Sequence, residues 1–222
     1  MTPEPTAPQP PTPAQASAPP RPGTPRPGGK VAGLLLAAGG GRRLGGRPKA
    51  LLDHRGRPLV EHAARVLREG GCDPVHIVLG AAAGAVRERA DLTAYTTSEN
   101  PDWAQGMGSS LRAGLAALAG SGADAVLVAL VDQPGIGPAA VARVLAAYDG
   151  DASLVSAAYG GRRGHPVLFG AARWADIAAS AEGDRGARAY LQQHAAEIGL
   201  VECSDVAEAY DIDTPEDLHR LE

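Results

Sequence analysis

Aromatic side chains are scarce, with one Phe, two Trp and five Tyr in 222 residues. Base-stacking platforms need such rings, and a net charge of −4 offers no basic groove, so no nucleic-acid partner is expected. Cysteine is equally rare. Cys72 and Cys203 form no C-x-x-C pair and no zinc spacing, which leaves two reduced, buried thiols as the expectation. No apolar stretch is long enough to span a bilayer, and no apolar leader core stands at the N-terminus; we expect a cytoplasmic protein without a membrane partner. Lysine is the most informative scarcity, because only Lys30 and Lys49 stand against 19 arginines.

Residues 1–29 hold 11 of the 19 prolines and no Val, Ile, Leu or aromatic residue. Such a segment cannot bury enough apolar surface to offset its chain entropy, so we read it as a disordered proline-rich tail, with residues 31–222 as the folded domain. Val31–Ala38, Val75–Leu79 and Ala125–Val131 are continuous apolar runs, as in strands buried on both faces. Helical patterns over 58–69, 82–90, 109–119 and 138–148 alternate with them, which means βαβ units and a mainly parallel sheet. Beyond residue 150 the expected elements are strands at 154–158 and 166–169 and helices at 171–180 and 186–196. Thr214-Pro-Glu-Asp217 then reads as the cap of a last helix.

The densest chemistry follows the first strand, where Gly39, Gly40, Gly41, Gly45 and Gly46 surround Arg42 and Arg43 and lead to Lys49. Glycines let successive backbone N–H groups turn toward one point and cradle phosphate oxygens. A dinucleotide fingerprint does not fit, because Gly39, Gly41 and Gly45 miss its spacing, and no Ser or Thr follows Lys49 to make a Walker loop. In a chain that otherwise uses arginine, a lysine beside this loop suggests a need for a compact ammonium.

Asp132 follows the run 125–131 directly, and an Asp at the carboxyl end of a buried parallel strand faces the crevice where α/β sheets bind ligands. It suits Mg²⁺, which takes hard oxygen ligands and often only one or two from protein, although a helix-capping role is open to it. Asp213 stands immediately before Thr214, where it reads as part of that helix cap. In Asn100–Leu111, Ser109 and Ser110 are either ligand donors at a helix N-terminus or ordinary N-caps, and Trp103 reads as a packing residue. Arg185 and Arg188 offer charge to a phosphate, and His165 in Gly164-His-Pro-Val167 is either a substrate contact or a plain loop histidine.

The run Leu36-Ala-Ala-Gly-x-Gly-x-Arg-Leu-Gly-x-x-Pro-Lys-x-Leu-Leu52 resembles the signature loop of the molybdopterin nucleotidyltransferase superfamily, and the likeness extends in order through nearly all of 31–222. That resemblance implies a Rossmann-like, three-layer α/β fold shared with the sugar-nucleotide pyrophosphorylases. Ala38 stands where the guanylyltransferase branch carries glycine, so the molybdenum cofactor cytidylyltransferase branch is implied: CMP passes from CTP to the phosphate of molybdopterin, and pyrophosphate leaves.

By the same resemblance Ala37, Ala38, Gly39, Gly40, Gly41, Arg43, Lys49, Asn100, Gly106, Ser109 and Ser110 bind the nucleotide. Arg43, Lys49 and Asp132 are catalytic, Asp132 and Asp213 hold Mg²⁺, and His165, Asp184, Arg185 and Arg188 face the acceptor. A molybdoenzyme or its maturation factor is the implied protein partner. Two rival functions stay open: transfer from GTP or to another phosphorylated acceptor (a sugar phosphate, phosphonate or phospholactate), and a non-catalytic module that delivers a finished cofactor.

Overall fold

The computed structural model describes residues 29–222, so the expected tail lies outside the described residues except for Gly29. In chain order the main elements are β1 (Val31–Ala37), β2 (Asp53–His54), β3 (Arg57–Pro58), α1 (Leu59–Glu69), β4 (Val75–Leu79), α2 (Ala83–Arg89), β5 (Thr96–Glu99), α3 (Met107–Leu118) and β6 (Ala125–Leu130). They continue as α4 (Pro138–Leu145), β7 (Leu154–Tyr159), β8 (Arg162–Gly170), α5 (Trp174–Ser180), α6 (Arg188–Gln193) and β9 (Gly199–Glu202).

Seven strands form one sheet in the order β5-β4-β1-β6-β8-β7-β9. Only β8 runs against its neighbours; the other pairings, β5 with β4, β4 with β1, β1 with β6 and β7 with β9, are parallel. Successive side chains of a strand face opposite sides, and β1 divides accordingly. Val31, Leu35 and Ala37 pack in one core with α1, α2 and α4, whereas Ala32, Leu34 and Leu36 pack in a second core with α3, α5 and α6. This is the three-layer α/β fold implied by the resemblance. Helix α3 lies close on the sheet because residue 114 is glycine: a Cβ there would meet Cδ1 of Leu34 within van der Waals distance. Among the described residues no helix is long and apolar enough to cross a membrane.

The buried strands and long helices stand within about three residues of the expected positions, which is the ordinary scatter of element ends. Two strands of the seven-stranded sheet were not foreseen, nor was the short β2–β3 hairpin, whose Pro58 was expected to open a helix. β5 reads Thr-Thr-Ser-Glu and β9 Gly-Leu-Val-Glu, both at sheet edges with one flank in solvent, where the apolar signal is weak. The last helix is a 3-10 turn over Pro215–Leu221, tied at its start by Asp217, whose Oδ2 accepts the backbone N–H of Thr214 at 2.8 Å and of Asp213 at 3.0 Å.

Candidate active site

β1 and β6 run level, with Leu36 opposite Leu130, so their carboxyl ends bring the glycine loop and Asp132 side by side. A third segment joins them from far along the chain. Ile212 is fully buried, and its N–H bonds the carbonyl of Asp132 at 2.9 Å, which presents Asp211 and Asp213 on either side of that strand end. Gly41 makes the loop possible: it adopts φ 63°, and a Cβ on it would strike the carbonyl oxygen of Arg47.

Lys49 opens a short 3-10 turn and reaches into this junction, where its Nζ donates to Asp132 Oδ2 at 2.6 Å and to Asp213 Oδ1 at 2.5 Å. Its side chain is only 16% exposed. Burial pulls the Lys49 ammonium down, but the two carboxylates outweigh it and hold its pKa above the usual lysine value. For Asp132 burial is the larger influence and pushes the carboxyl up, against the pull of Lys49. Arg43 sits outside this pair, 76% exposed, with its guanidinium 3.3 Å from Asp213 Oδ2.

The capping alternatives fall away for both acids. Helix α4 begins at Pro138 with Gly137 as its cap, five positions beyond Asp132. The carboxylate that ties the 214–217 turn belongs to Asp217, which leaves the Asp213 side chain to Lys49 and Arg43. Two carboxylates meeting on one ammonium form a pair of hard oxygen donors around a point that a small cation fits. Among the described residues no larger group of His, Cys, Asp or Glu converges, so any metal here would take two protein carboxylates.

Beside this junction opens a cavity of about 250 Å³ lined by Ala38, Gly39, Gly40, Lys49, Asp132 and Ser110, among others. A second cavity of about 370 Å³ adjoins it, and Leu36, Met107, Leu130 and Asp184 line both, so the two are lobes of one cleft. The second lobe has an apolar floor of Leu111, Val128, Val167 and Phe169 and a rim carrying Arg163, Arg185 and Arg188. His165 lines it too, and burial drives its imidazole down to about 4, with Asp211 pulling upward and Arg163 adding to the fall. His165 is therefore neutral at physiological pH. Gln133, also in this lobe, donates to Asp211 Oδ1 at 2.8 Å, and its buried Oε1 has no hydrogen-bond partner.

Several expected contacts take a different form. Ala37 buries its methyl in the core under α1, and Gly41 shapes the loop rather than the cavity wall. Ser109 and Ser110 lie inside α3, whose N-cap is Gly106, so neither is a cap. Asn100 Nδ2 donates to both hydroxyls, at 2.8 and 3.1 Å; Asn100 and Ser109 are buried scaffold, and Ser110 alone of the three reaches the cleft. Trp103, expected as a packing residue, packs over Gly40 and also forms cleft wall, since a Cβ on Gly40 would lie 3.2 Å from its ring. Asp184 borders both lobes, not the acceptor side alone, and Arg42 lines the first lobe where Arg43 was expected. Gln133, Arg163 and Asp211 were missed; the repeated acid at 211 and 213 was the available signal.

Residues 33–198 match the family described as the MobA-like NTP transferase domain. The chain belongs to that family. Among relatives of this NTP transferase, a nicotine blue oxidoreductase from Paenarthrobacter nicotinovorans is 46% identical over 198 residues, 86% of this chain and 96% of its own. A molybdenum cofactor guanylyltransferase from Cereibacter sphaeroides is 34% identical over 197 residues, 87% of this chain and 96% of its own. The crystal structure of Rv0371c from Mycobacterium tuberculosis in complex with manganese is 27% identical, with a TM-score of 0.71 over 86% of this chain and 97% of that one.

Proposed function

We propose that this NTP transferase moves a nucleoside monophosphate from an NTP onto the phosphate of a pterin-type cofactor, in the cytoplasm, with release of pyrophosphate. The carrying observation is the convergence of Asp132, Asp213 and Lys49 beside the glycine loop at the ends of β1 and β6. An acceptor phosphate oxygen attacks the α-phosphorus, and the bond to the β-phosphate bridging oxygen breaks. The nucleophile is already anionic, so no general base is needed, and catalysis is positioning plus neutralisation of charge. Backbone N–H groups of the 38–41 loop and the Lys49 ammonium would hold the triphosphate. Asp132 and Asp213 would hold Mg²⁺, which when bound neutralises phosphate charge; the manganese complex of the Mycobacterium tuberculosis relative supports a divalent ion in this family.

For the donor base we read GTP ahead of the CTP expected from Ala38. The Ala38 methyl is turned against Gly80, where an added Cβ would lie 2.7 Å from it, so it does little to narrow the cleft against a purine base. The relative named a guanylyltransferase favours the same choice. For the acceptor, the apolar floor suits a flat heteroaromatic body and the three arginines suit its phosphate. A molybdoenzyme or its maturation factor would receive the product.

A second reading has one observation in its favour. The relative named a nicotine blue oxidoreductase is 46% identical, and an apolar slot takes a planar redox substrate as readily as a pterin. The test measures pyrophosphate release with each of the four NTPs and a panel of phosphorylated acceptors, alongside nicotinamide dinucleotide oxidation with a quinone-type heteroaromatic dye. Pyrophosphate release that requires both an NTP and a phosphorylated acceptor supports transfer. Dye reduction without pyrophosphate release overturns it.

A further inference from the structure

The site that would take a divalent ion already has a cation of its own. Asp132 Oδ2 and Asp213 Oδ1 both bond Lys49 Nζ, at 2.6 and 2.5 Å, and Arg43 leans on the remaining oxygen of Asp213. Lys49 and Arg43 offset the charge of the two carboxylates, with Asp211 one further negative charge nearby, so the pair attracts a free metal ion far less than two bare carboxylates would. The ammonium also occupies the point on which both oxygens converge. We propose that Lys49 is the resident counter-ion of this carboxylate pair, and that it must leave the pair before a divalent ion can bridge it. The lure that moves it is the polyphosphate of the nucleotide, which rests on the nucleotide-binding reading above.

Geometry makes the exchange short. Lys49 lines the same lobe as Gly39, Gly40 and Arg42, on an unbranched stem with four rotatable carbons, so its ammonium can swing from the carboxylates to phosphate oxygens without moving the backbone. Each arrival then favours the other. Phosphate draws Lys49 off and bares two carboxylates to the metal; the metal repels Lys49 toward the phosphate. Such coupling is reciprocal, so the factor by which nucleotide tightens metal equals the factor by which metal tightens nucleotide. Metal alone should bind poorly, and metal and nucleotide should enter as a unit.

The experiment titrates Mn²⁺ alone into the full chain, followed by electron paramagnetic resonance, with no nucleotide present. We expect weak binding to the wild type and to Lys49→Arg, and roughly ten-fold or more tighter binding to Lys49→Met, which removes the charge but keeps the stem. A folded Lys49→Met protein that binds Mn²⁺ no tighter than the wild type overturns the proposal. Should Lys49→Met fail to fold, the wild type decides. With two lysines in the chain, selectively labelled lysine gives two side-chain signals in solution NMR, one from exposed Lys30 and one from Lys49. Mg²⁺ alone should leave the Lys49 signal in place, and Mg²⁺ with a non-hydrolysable NTP should move it. A shift of the same size with Mg²⁺ alone overturns the proposal. Failure of every NTP to bind overturns the nucleotide reading instead, while the Mn²⁺ titration still decides the role of Lys49.

Discussion

Lys49 and Asp213 stand 164 positions apart in the chain, and their charged groups meet at 2.5 Å. The contact ties the glycine loop to the C-terminal segment, with Asp132 of the central sheet as the third member. A lysine on a loop is ordinarily solvated, and its loss would then spare stability. The place of Lys49 in this ion cluster makes it an exception. Lys49→Ala leaves two facing carboxylates, 19% and 38% exposed, without their cation, and should destabilise the fold by about 1–3 kcal/mol, somewhat less than for a fully buried pair. Turnover should fall by orders of magnitude as well. Adding Asp132→Asn should return part of the lost melting temperature, because one of the uncompensated charges is then gone. A Lys49→Ala protein that melts with the wild type would show that the ion cluster contributes nothing to stability.

Asp132→Asn should fold and lose transfer activity by orders of magnitude, with partial recovery at high Mg²⁺. Asparagine caps helices about as well as aspartate, and no helix begins near residue 132, so the substitution isolates the charge. A folded, fully active variant with an unchanged Mg²⁺ dependence would remove Asp132 from the metal site and leave Asp213 to carry it alone.

The parts of this site that sequence revealed are those whose chemistry is local. The glycine loop, Lys49 and Asp132 each carry their meaning within a few residues of a buried apolar run, because a parallel strand must end at the ligand crevice. Ser109 and Ser110 were open to reading as ligand donors or as N-caps; neither is a cap, and both hydroxyls accept from Asn100 across a turn whose shape no periodicity encodes. Asp211 and Gln133 meet over 78 positions, and His165 owes its neutrality to burial in a lobe built from widely separated segments. Such relationships depend on tertiary packing, and a single sequence carries little trace of them.

Gly106 lines the first lobe and backs onto the turn whose Asp184 and Arg185 line the second. Its φ is 105°, and an added Cβ would fall against the backbone of Gly183 and within 2.6 Å of Asp184 Oδ1. Gly106→Ala should therefore lower stability by about 1–3 kcal/mol and push the 183–185 turn off the start of α3. Because that turn carries Asp184 and Arg185 of the acceptor lobe, the acceptor KM should rise more than the NTP KM. Equal rises in both would mean that the turn serves the whole cleft rather than one lobe.

His165 gives the protein a pH dependence that can be isolated. Its imidazole titrates near 6.5 in an unfolded chain and is pushed down to about 4 by burial in the folded one. Between those values the unfolded chain binds a proton that the folded chain refuses, so stability falls as pH drops from 6.5 toward 4 and levels off below. The contribution is complete above pH 6.5 and amounts to a loss on the order of 3 kcal/mol once pH reaches the folded value. His62 and His76 are also held low by burial and slope the same way, while burial of Asp132 slopes the opposite way. A direct comparison of wild type with His165→Gln cancels these, since they remain in both proteins. Urea midpoints measured from pH 8 down to pH 4.5 should show the wild type losing stability faster than the variant, with the gap opening below pH 6.5. Parallel curves over that range would mean that the folded imidazole accepts its proton freely, and that the lining of the second lobe does not shield His165 from solvent.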